Sequence, residues 1–204
     1  MLYPKIKRTG DLLVALLVLI VILPFFPLFA LAIKVDSKGP VIFKQERIGL
    51  NGRLFEVYKL RSMHLGAEKG GVYEAKDDPR VTRVGKFLRR TSINELPQLV
   101  NIIKGDMSLI GPRPVLTYHP WPIGQYTEEQ MKRFAVRPGV TGWAQVNGRK
   151  NLFWDERIAF DIEYVENLSF ALDLKIFFMT IVKVLSMQDS YNVGETVRSN
   201  NRDA

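Results

Sequence analysis

From Leu12 to Ile33 the chain runs LLVALLVLIVILPFFPLFALAI without one charged side chain. At about 1.5 Å per residue, a continuous helix of that length matches a hydrocarbon core roughly 30 Å thick. No polar stripe recurs at helical spacing, so a buried amphipathic helix fits poorly. No A-x-A-like exit follows, and the run is long for the apolar part of a secretory leader. The segment reads as membrane-embedded. Whether it crosses is a separate question. Lys5, Lys7 and Arg8 precede it, and Lys34 and Lys38 follow it, so the charge bias that orients a spanning helix names no side. Pro24 and Pro27 each remove a helix hydrogen bond in its middle. A bent helix that enters one leaflet and returns is favoured by both features; a single kinked span stays open.

The rest of the chain reads as one small domain. Val41–Arg47 and Leu54–Leu60 are rich in Val, Ile, Phe and Tyr, and Asn51-Gly52 between them signals a hairpin because both residues tolerate positive φ. A polar loop is expected over Leu65–Pro79. Arg80–Arg90 (RVTRVGKFLRR) reads as a basic helix, lying either on an anionic membrane surface or in solvent. Ser92-Ile93-Asn94-Glu95 has the S-x-x-E capping-box pattern, predicting a helix from there to Gly105 with Pro97 in its first turn. Thr127-Glu128-Glu129-Gln130 opens another helix by the same rule. Ala171–Met187 is apolar but interrupted by Asp173, Lys175 and Lys183, as suits an interfacial or core helix. Residues 1–35 are thus expected to form the membrane helix with its basic flank, 36–187 a membrane-associated domain, and 188–204 a polar tail.

Composition narrows the chemistry. With no cysteine and only His64 and His119, thiolate metal sites, cysteine nucleophiles and histidine-rich centres are excluded. A net charge of +8 points to an anionic partner: nucleic acid, anionic lipid or a phosphorylated substrate. Three clusters are candidates. Lys7, Arg8 and Asp11 lie where headgroup phosphates would be, although basic flanks are common beside any membrane segment. Around Asn94 and Glu95, followed by Gly105-Asp106-Met107-Ser108 and Gly111-Pro112-Arg113-Pro114, a helix N-terminus would favour phosphate and Arg113 would be aimed by its prolines; a capped helix with a Pro-rich turn would look the same. Arg137-Pro138-Gly139-Val140-Thr141-Gly142-Trp143, continuing to Asn147, Gly148 and Arg149, reads as a ligand loop whose glycines permit close backbone approach.

Taken in order, K-R-x-x-D, the apolar run, a hairpin ending YKLRSM, S-I-x-E-L-P-Q-L, G-D-M-S-L-I-G-P-R-P and R-P-G-V-T-G-W-A-Q-V-N-G-R resemble the bacterial sugar transferase family, the small monotopic phosphoglycosyl transferases. The resemblance runs from Lys7 to about Leu185. It implies an α+β fold: a re-entrant membrane helix, a small helical domain with a β-hairpin, and amphipathic interface helices. It also implies transfer of a sugar-1-phosphate from a UDP-sugar to undecaprenyl phosphate at the cytoplasmic face of the bacterial inner membrane, opening glycoconjugate or polysaccharide assembly. The route implied is ping-pong through a phosphosugar-enzyme ester, with Mg²⁺ on the diphosphate.

By motif, Lys7, Arg8 and Asp11 would serve the lipid phosphate. Lys59, Arg113, Arg137, Asn147 and Arg149 would hold the donor, and Asn94 and Glu95 occupy the catalytic dyad, with Asn94 also at the metal position. Here the chain departs from the pattern: the family has Asp-Glu where this chain has Asn94-Glu95, and that Asp is the nucleophile. A carboxamide is a poor nucleophile and a weaker Mg²⁺ ligand, so the chain as written is expected to be an impaired Asp-to-Asn form. Two other classes compete. A membrane-bound binding protein without chemistry explains charge and anchor but not the Gly- and Arg-rich loops. A nucleic-acid binder explains the charge, but no nucleic-acid motif appears and none is expected to bind.

Overall fold

The computed structural model describes residues 2–71, 77–148 and 152–186. Helix α1 (Tyr3–Ile22) leads through a 3₁₀ turn at Leu23–Phe25 into α2 (Phe26–Asp36). The interruption falls at Pro24, which has no N–H to offer and whose ring crowds the carbonyl of Ile20. Pro27 costs nothing, because it sits in the first turn of α2 where N–H groups lack intrahelical partners. The 34 residues Tyr3–Asp36 form an apolar helical segment long enough to cross a membrane, and very little of it is buried. One face of α1 packs Ala15, Val18, Leu19 and Ile22 onto Val57, Leu99, Ile102 and Met107. On α2, Phe26, Phe29 and Ile33 pack with Leu60 and Leu88. Leu13, Leu17, Ile20, Leu28 and Leu31 on the outer face are bare.

Both ends of this segment are tied to the same domain by polar bonds. Near its start, Arg8 donates to the carbonyls of Ile102 (2.7 Å) and Ile103 (3.4 Å). At its end, Asp36 accepts from the backbone N–H of Val84 at 2.9 Å, and Arg61 donates to Ser37 through two nitrogens at 2.6 and 2.8 Å.

Strands β1 (Ile42–Ile48) and β2 (Leu54–Leu60) form the antiparallel hairpin the sequence predicts. Asn51 and Gly52 take φ of 54° and 76°, the left-handed values that make this step a turn. The register pairs Phe43 with Lys59 and Arg47 with Phe55. Gln45, Arg47 and Lys59 therefore share a face. Helix α3 (Arg83–Arg90) is capped by the Thr82 hydroxyl, which accepts from Gly85 N–H at 2.9 Å. It turns Val84 and Leu88 toward Ile33 and leaves Phe87 exposed.

The next segment corrects the sequence-based expectation. Ser92 adopts φ of 60° and its side chain caps nothing; Ile93–Glu95 is a 3₁₀ turn, and α4 (Gln98–Lys104) begins only after Pro97. The capping box fails because Glu95 is drawn outward to Lys59 and Gln98 instead of back to the Ser92 backbone. Asn101 on α4, wholly buried, accepts from Tyr58 N–H (3.0 Å) and donates to Glu56 carbonyl (2.6 Å). That clamp fixes β2 against α4.

A parallel pair of three-residue strands follows, β3 (Ser108–Ile110) beside β4 (Gly139–Thr141). A Cβ on Gly139 or Gly142 would collide with the backbone of Gly111. These glycines of the expected ligand loop are thus present so that two backbones can meet, and the ligand reading of Gly139 and Gly142 is corrected accordingly. Helix α5 (Glu128–Met131) has the expected capping box between Thr127 and Gln130. Helices α6 (Trp143–Asn147), α7 (Trp154–Glu166) and α8 (Phe170–Leu185) complete the fold. Helix α8 buries Asp173 and Ile176 and exposes Phe170, Leu174, Phe177, Phe178, Ile181, Val182 and Leu185. That bare apolar stripe recurs at helical spacing, so α8 is amphipathic, with its apolar face turned outward.

Candidate active site

A cavity of about 1400 Å³ opens between the β-hairpin, the 3₁₀ turn at Asn94 and the helices beyond β4, and Lys59, Asn94, Glu95, Arg47 and Arg113 line its wall. Lys59 reaches it from the C-terminal end of β2 and meets the Glu95 carboxylate at 2.9 Å. Asn94, only 6% exposed, donates its amide to Glu95 at 3.1 Å, and Gln98 donates to the other carboxylate oxygen. Arg47 is held by Pro114 carbonyl at 3.1 Å and Gln45 at 2.5 Å, and its Nε is buried without a partner. Arg113 sits exposed at the cavity edge, its own carbonyl fixed by Arg133 at 3.0 Å. Arg133 in turn forms a buried ion pair with Asp161.

Three cations and one carboxylate leave this wall positive. The strain shows in the proton affinities. Lys59 is lowered to about 8, first by burial and then by Arg113 and Arg47, against the opposing pull of Glu95. Arg47 is lowered to about 10 by burial and by Arg113 and remains charged at neutral pH. Mutually repelling cations beside an unbonded buried guanidinium nitrogen are features that a multivalent anion would compensate. Bidentate guanidinium groups match phosphate oxygens.

Among the described residues no cluster of three His, Asp or Glu could hold a metal by itself. Glu95 and the Asn94 carboxamide oxygen are nevertheless hard oxygen donors. They fit Mg²⁺, which commonly takes one or two protein oxygens and completes its shell with phosphate and water.

The remaining candidates lie elsewhere. Lys7 pairs with Asp173 at 2.8 Å, Asp11 accepts from the Ser108 hydroxyl at 2.6 Å, and Tyr3 and Tyr164 both donate to Asp173. Arg8 and Arg137 close the C-terminal end of α4, Arg137 donating to Gly105 carbonyl at 2.8 Å. These are structural bonds, since the last carbonyls of a helix need donors. None of Lys7, Arg8, Asp11 and Arg137 lines the cavity. Asn147 donates back to Trp143 carbonyl at 2.9 Å within α6 and does not line it either. Arg149 and the polar tail lie outside the described residues. Sequence reasoning missed Arg47 and Gln98. The pairing register was the signal for Arg47, since it alone puts Arg47 on the face of Lys59.

Over residues 2–187 the sequence matches the family described as bacterial sugar transferase. It is 44% identical over 184 residues to an Escherichia coli UDP-glucose:undecaprenyl-phosphate glucose-1-phosphate transferase, covering 87% of this chain and 40% of that protein. It is 43% identical over 182 residues to the uncharacterized sugar transferase EpsL of Bacillus subtilis, covering 88% and 87%. A third relative, a UDP-N-acetylgalactosamine-undecaprenyl-phosphate N-acetylgalactosaminephosphotransferase of Aeromonas hydrophila, is 44% identical over 192 residues, covering 91% of this chain and 45% of its own length. The chain thus spans less than half of two of these relatives and most of the other. With the six motifs in order and the match running almost from end to end, the chain belongs to the bacterial sugar transferase family.

Proposed function

We propose that this chain is a phosphoglycosyl transferase that moves a sugar-1-phosphate from a UDP-sugar to undecaprenyl phosphate at the membrane surface. One observation carries the proposal: Lys59, Arg47 and Arg113 converge around Glu95 and Asn94 on the wall of one cavity. That arrangement suits a nucleoside diphosphate. The names of the relatives support the donor and acceptor classes. Relatives of equal identity are named for glucose and for N-acetylgalactosamine, so identity alone does not choose the sugar.

The mechanism in this proposal turns on residue 94. With aspartate there, a carboxylate oxygen bonds to the β-phosphorus, the bond from that phosphorus to the oxygen bridging to the α-phosphorus breaks, and UMP leaves with the electron pair. An oxygen of the lipid phosphate then attacks the same phosphorus and returns the carboxylate, giving a sugar-diphospholipid. Arg47, Arg113 and Lys59 hold the phosphate oxygens and offset the charge that develops on the leaving phosphate. Glu95, fixed by Lys59 and Gln98, aligns residue 94. Mg²⁺, held by Glu95 and residue 94 together with the diphosphate, would neutralise the donor's charge.

As written, the chain presents an amide at position 94. It binds donor and turns it over poorly.

The same proposal includes topology. Because the Arg8 end and the Asp36 end of the apolar segment bond to one domain, the segment enters and leaves on the cytoplasmic side of the inner membrane, bending at Pro24. The outer face of α8 rests at the interface. Cysteine labelling tests this in a chain with no native cysteine: a residue before Leu12 labelled only from the periplasm overturns it. The activity is tested by UMP release from a panel of UDP-sugars, using this chain and its Asn94→Asp variant. Release by neither, with any sugar, overturns the assignment.

A further inference from the structure

Of Lys59, Arg47 and Arg113, only Arg113 is exposed. Packing around its side chain therefore does little to aim it, and its direction has to come from its backbone.

That backbone is held with unusual completeness. Pro112 and Pro114 fix φ on either side and have no N–H to offer, and a residue before proline is kept out of the helical region. The successive carbonyls of Pro112, Arg113, Pro114 and Val115 each accept a hydrogen bond. Gly139 N–H on β4 donates to Pro112 at 2.9 Å, and Ile48 N–H on β1 donates to Val115 at 3.0 Å. Between them, Arg133 Nη2 donates to Arg113 at 3.0 Å and Arg47 Nη1 to Pro114 at 3.1 Å. The outer two donors are backbone groups that come with the strands. The inner two are guanidinium groups, and the one on the Arg113 carbonyl is carried by an ion pair.

Arg133 comes from the 3₁₀ turn Lys132–Ala135 and Asp161 from α7. Arg133 Nε and Nη2 both meet Asp161 Oδ2, at 3.1 and 2.5 Å, and each side chain is only 2% exposed. Nη2 thus serves Asp161 and the Arg113 carbonyl together. Asp161 Oδ1 is buried with no partner. A buried ion pair with an unmet acceptor is a weak source of stability. What this geometry does deliver is a charged donor, held in plane by its carboxylate, on the carbonyl of Arg113. A lysine ammonium has no planar fork with which to serve both acceptors in the same way.

We propose that the Arg133–Asp161 pair positions Arg113: Asp161 orients the Arg133 fork, and the fork holds the Arg113 carbonyl, so that the exposed guanidinium extends from a fixed backbone toward the donor's diphosphate. This rests on the proposed function for the identity of the anion.

Inorganic pyrophosphate is the probe, titrated calorimetrically onto the purified chain in detergent micelles, with UDP-sugar titrated beside it. Arg133→Met combined with Asp161→Leu replaces the pair by apolar side chains, an exchange that buried pairs often tolerate without loss of stability. The unfolding temperature should stay near the parent's, while pyrophosphate binds about fivefold more weakly. Made on top of Arg113→Ala, the same two substitutions should weaken binding no further, because the group they position is gone. A loss of equal size with and without Arg113 would mark a scaffold role and overturn the proposal. So would unchanged affinity in the folded pair variant. If the pair variant does not fold, Arg133→Lys, which keeps the buried charge and loses the fork, goes through the same cycle and is read the same way. Should the parent bind pyrophosphate with the expected coupling but not UDP-sugar, the donor assignment fails and the positioning role stands. A parent that binds neither overturns both.

Discussion

Two polar clusters of this molecule look alike in composition and behave oppositely. Around Asp173, the groups of Tyr3, Lys7 and Tyr164 converge, with Asp11 and Ser108 alongside, and these groups bond to one another. Around Glu95, Lys59 is paired, but Arg47 keeps a buried unbonded nitrogen and Arg113 stands at the edge of open space. Buried charge is costly unless compensated. The first cluster is compensated internally and fastens α1 to α7, α8 and β3. The second is left for something else to compensate. Unmet bonding capacity next to a cavity, more than charge itself, separates the site from the scaffold.

Four perturbations sharpen that comparison. The largest effect is expected at the open cluster: Asn94→Asp should raise UMP release by several orders of magnitude, as loss of a covalent nucleophile costs that much. A variant no faster than the chain as written, by a coupled UMP assay, would remove residue 94 from the chemistry. The closed cluster should respond in stability. Asp173→Asn leaves the Lys7 ammonium, 13% exposed, without its nearest counter-charge. Stripping one partner from a buried pair costs about 3–5 kcal/mol. Thermal unfolding should drop well below the parent's while the UDP-sugar Kd of the folded protein stays put. A donor defect without a stability defect would invert the comparison.

Smaller is the expected effect of Arg113→Lys or Arg47→Lys. Each keeps its charge and loses the planar fork, so UDP-sugar should bind about tenfold more weakly, or about 1.4 kcal/mol. Arg137→Lys, on the α4 carbonyls, should leave donor affinity alone. The smallest is a pH effect. The protonated Lys59 binds the donor, and its pKa in the folded protein is about 8, so affinity should fall as pH rises past 8. Stability of the free protein should move the other way. Between pH 8 and the ordinary lysine value the unfolded chain holds a proton that the folded one has shed, so unfolding becomes less favourable as pH rises there. Lys59→Arg should flatten the affinity profile, and isothermal titration from pH 7 to 9.5 would read it.

What was legible in the sequence depended on the range of the interaction. The hairpin was legible because Asn51-Gly52 dictates its own turn, and α5 because Thr127 and Gln130 cap each other within one turn. The Ser92–Glu95 box has the same letters as a cap and failed, because Glu95 found Lys59, 36 positions away. Arg133 and Asp161 pair across 28 positions with no local pattern to announce them. The glycines of the 137–149 stretch were visible, but their purpose was not: only the meeting of β3 and β4 shows what a Cβ at Gly139 would strike. Motif order revealed the family, whereas the division of the basic residues between cavity wall and scaffold required the packed chain.

The most direct test of the central claim, that residue 94 is where the phosphosugar is taken up, is intact-mass spectrometry after mixing with UDP-sugar and Mg²⁺. The Asn94→Asp chain should gain the mass of one phosphosugar and lose it when polyprenyl phosphate is added, and the chain as written, checked to be free of deamidation, should gain none. An adduct on the chain as written, or equal turnover by both chains without any adduct, would contradict the account.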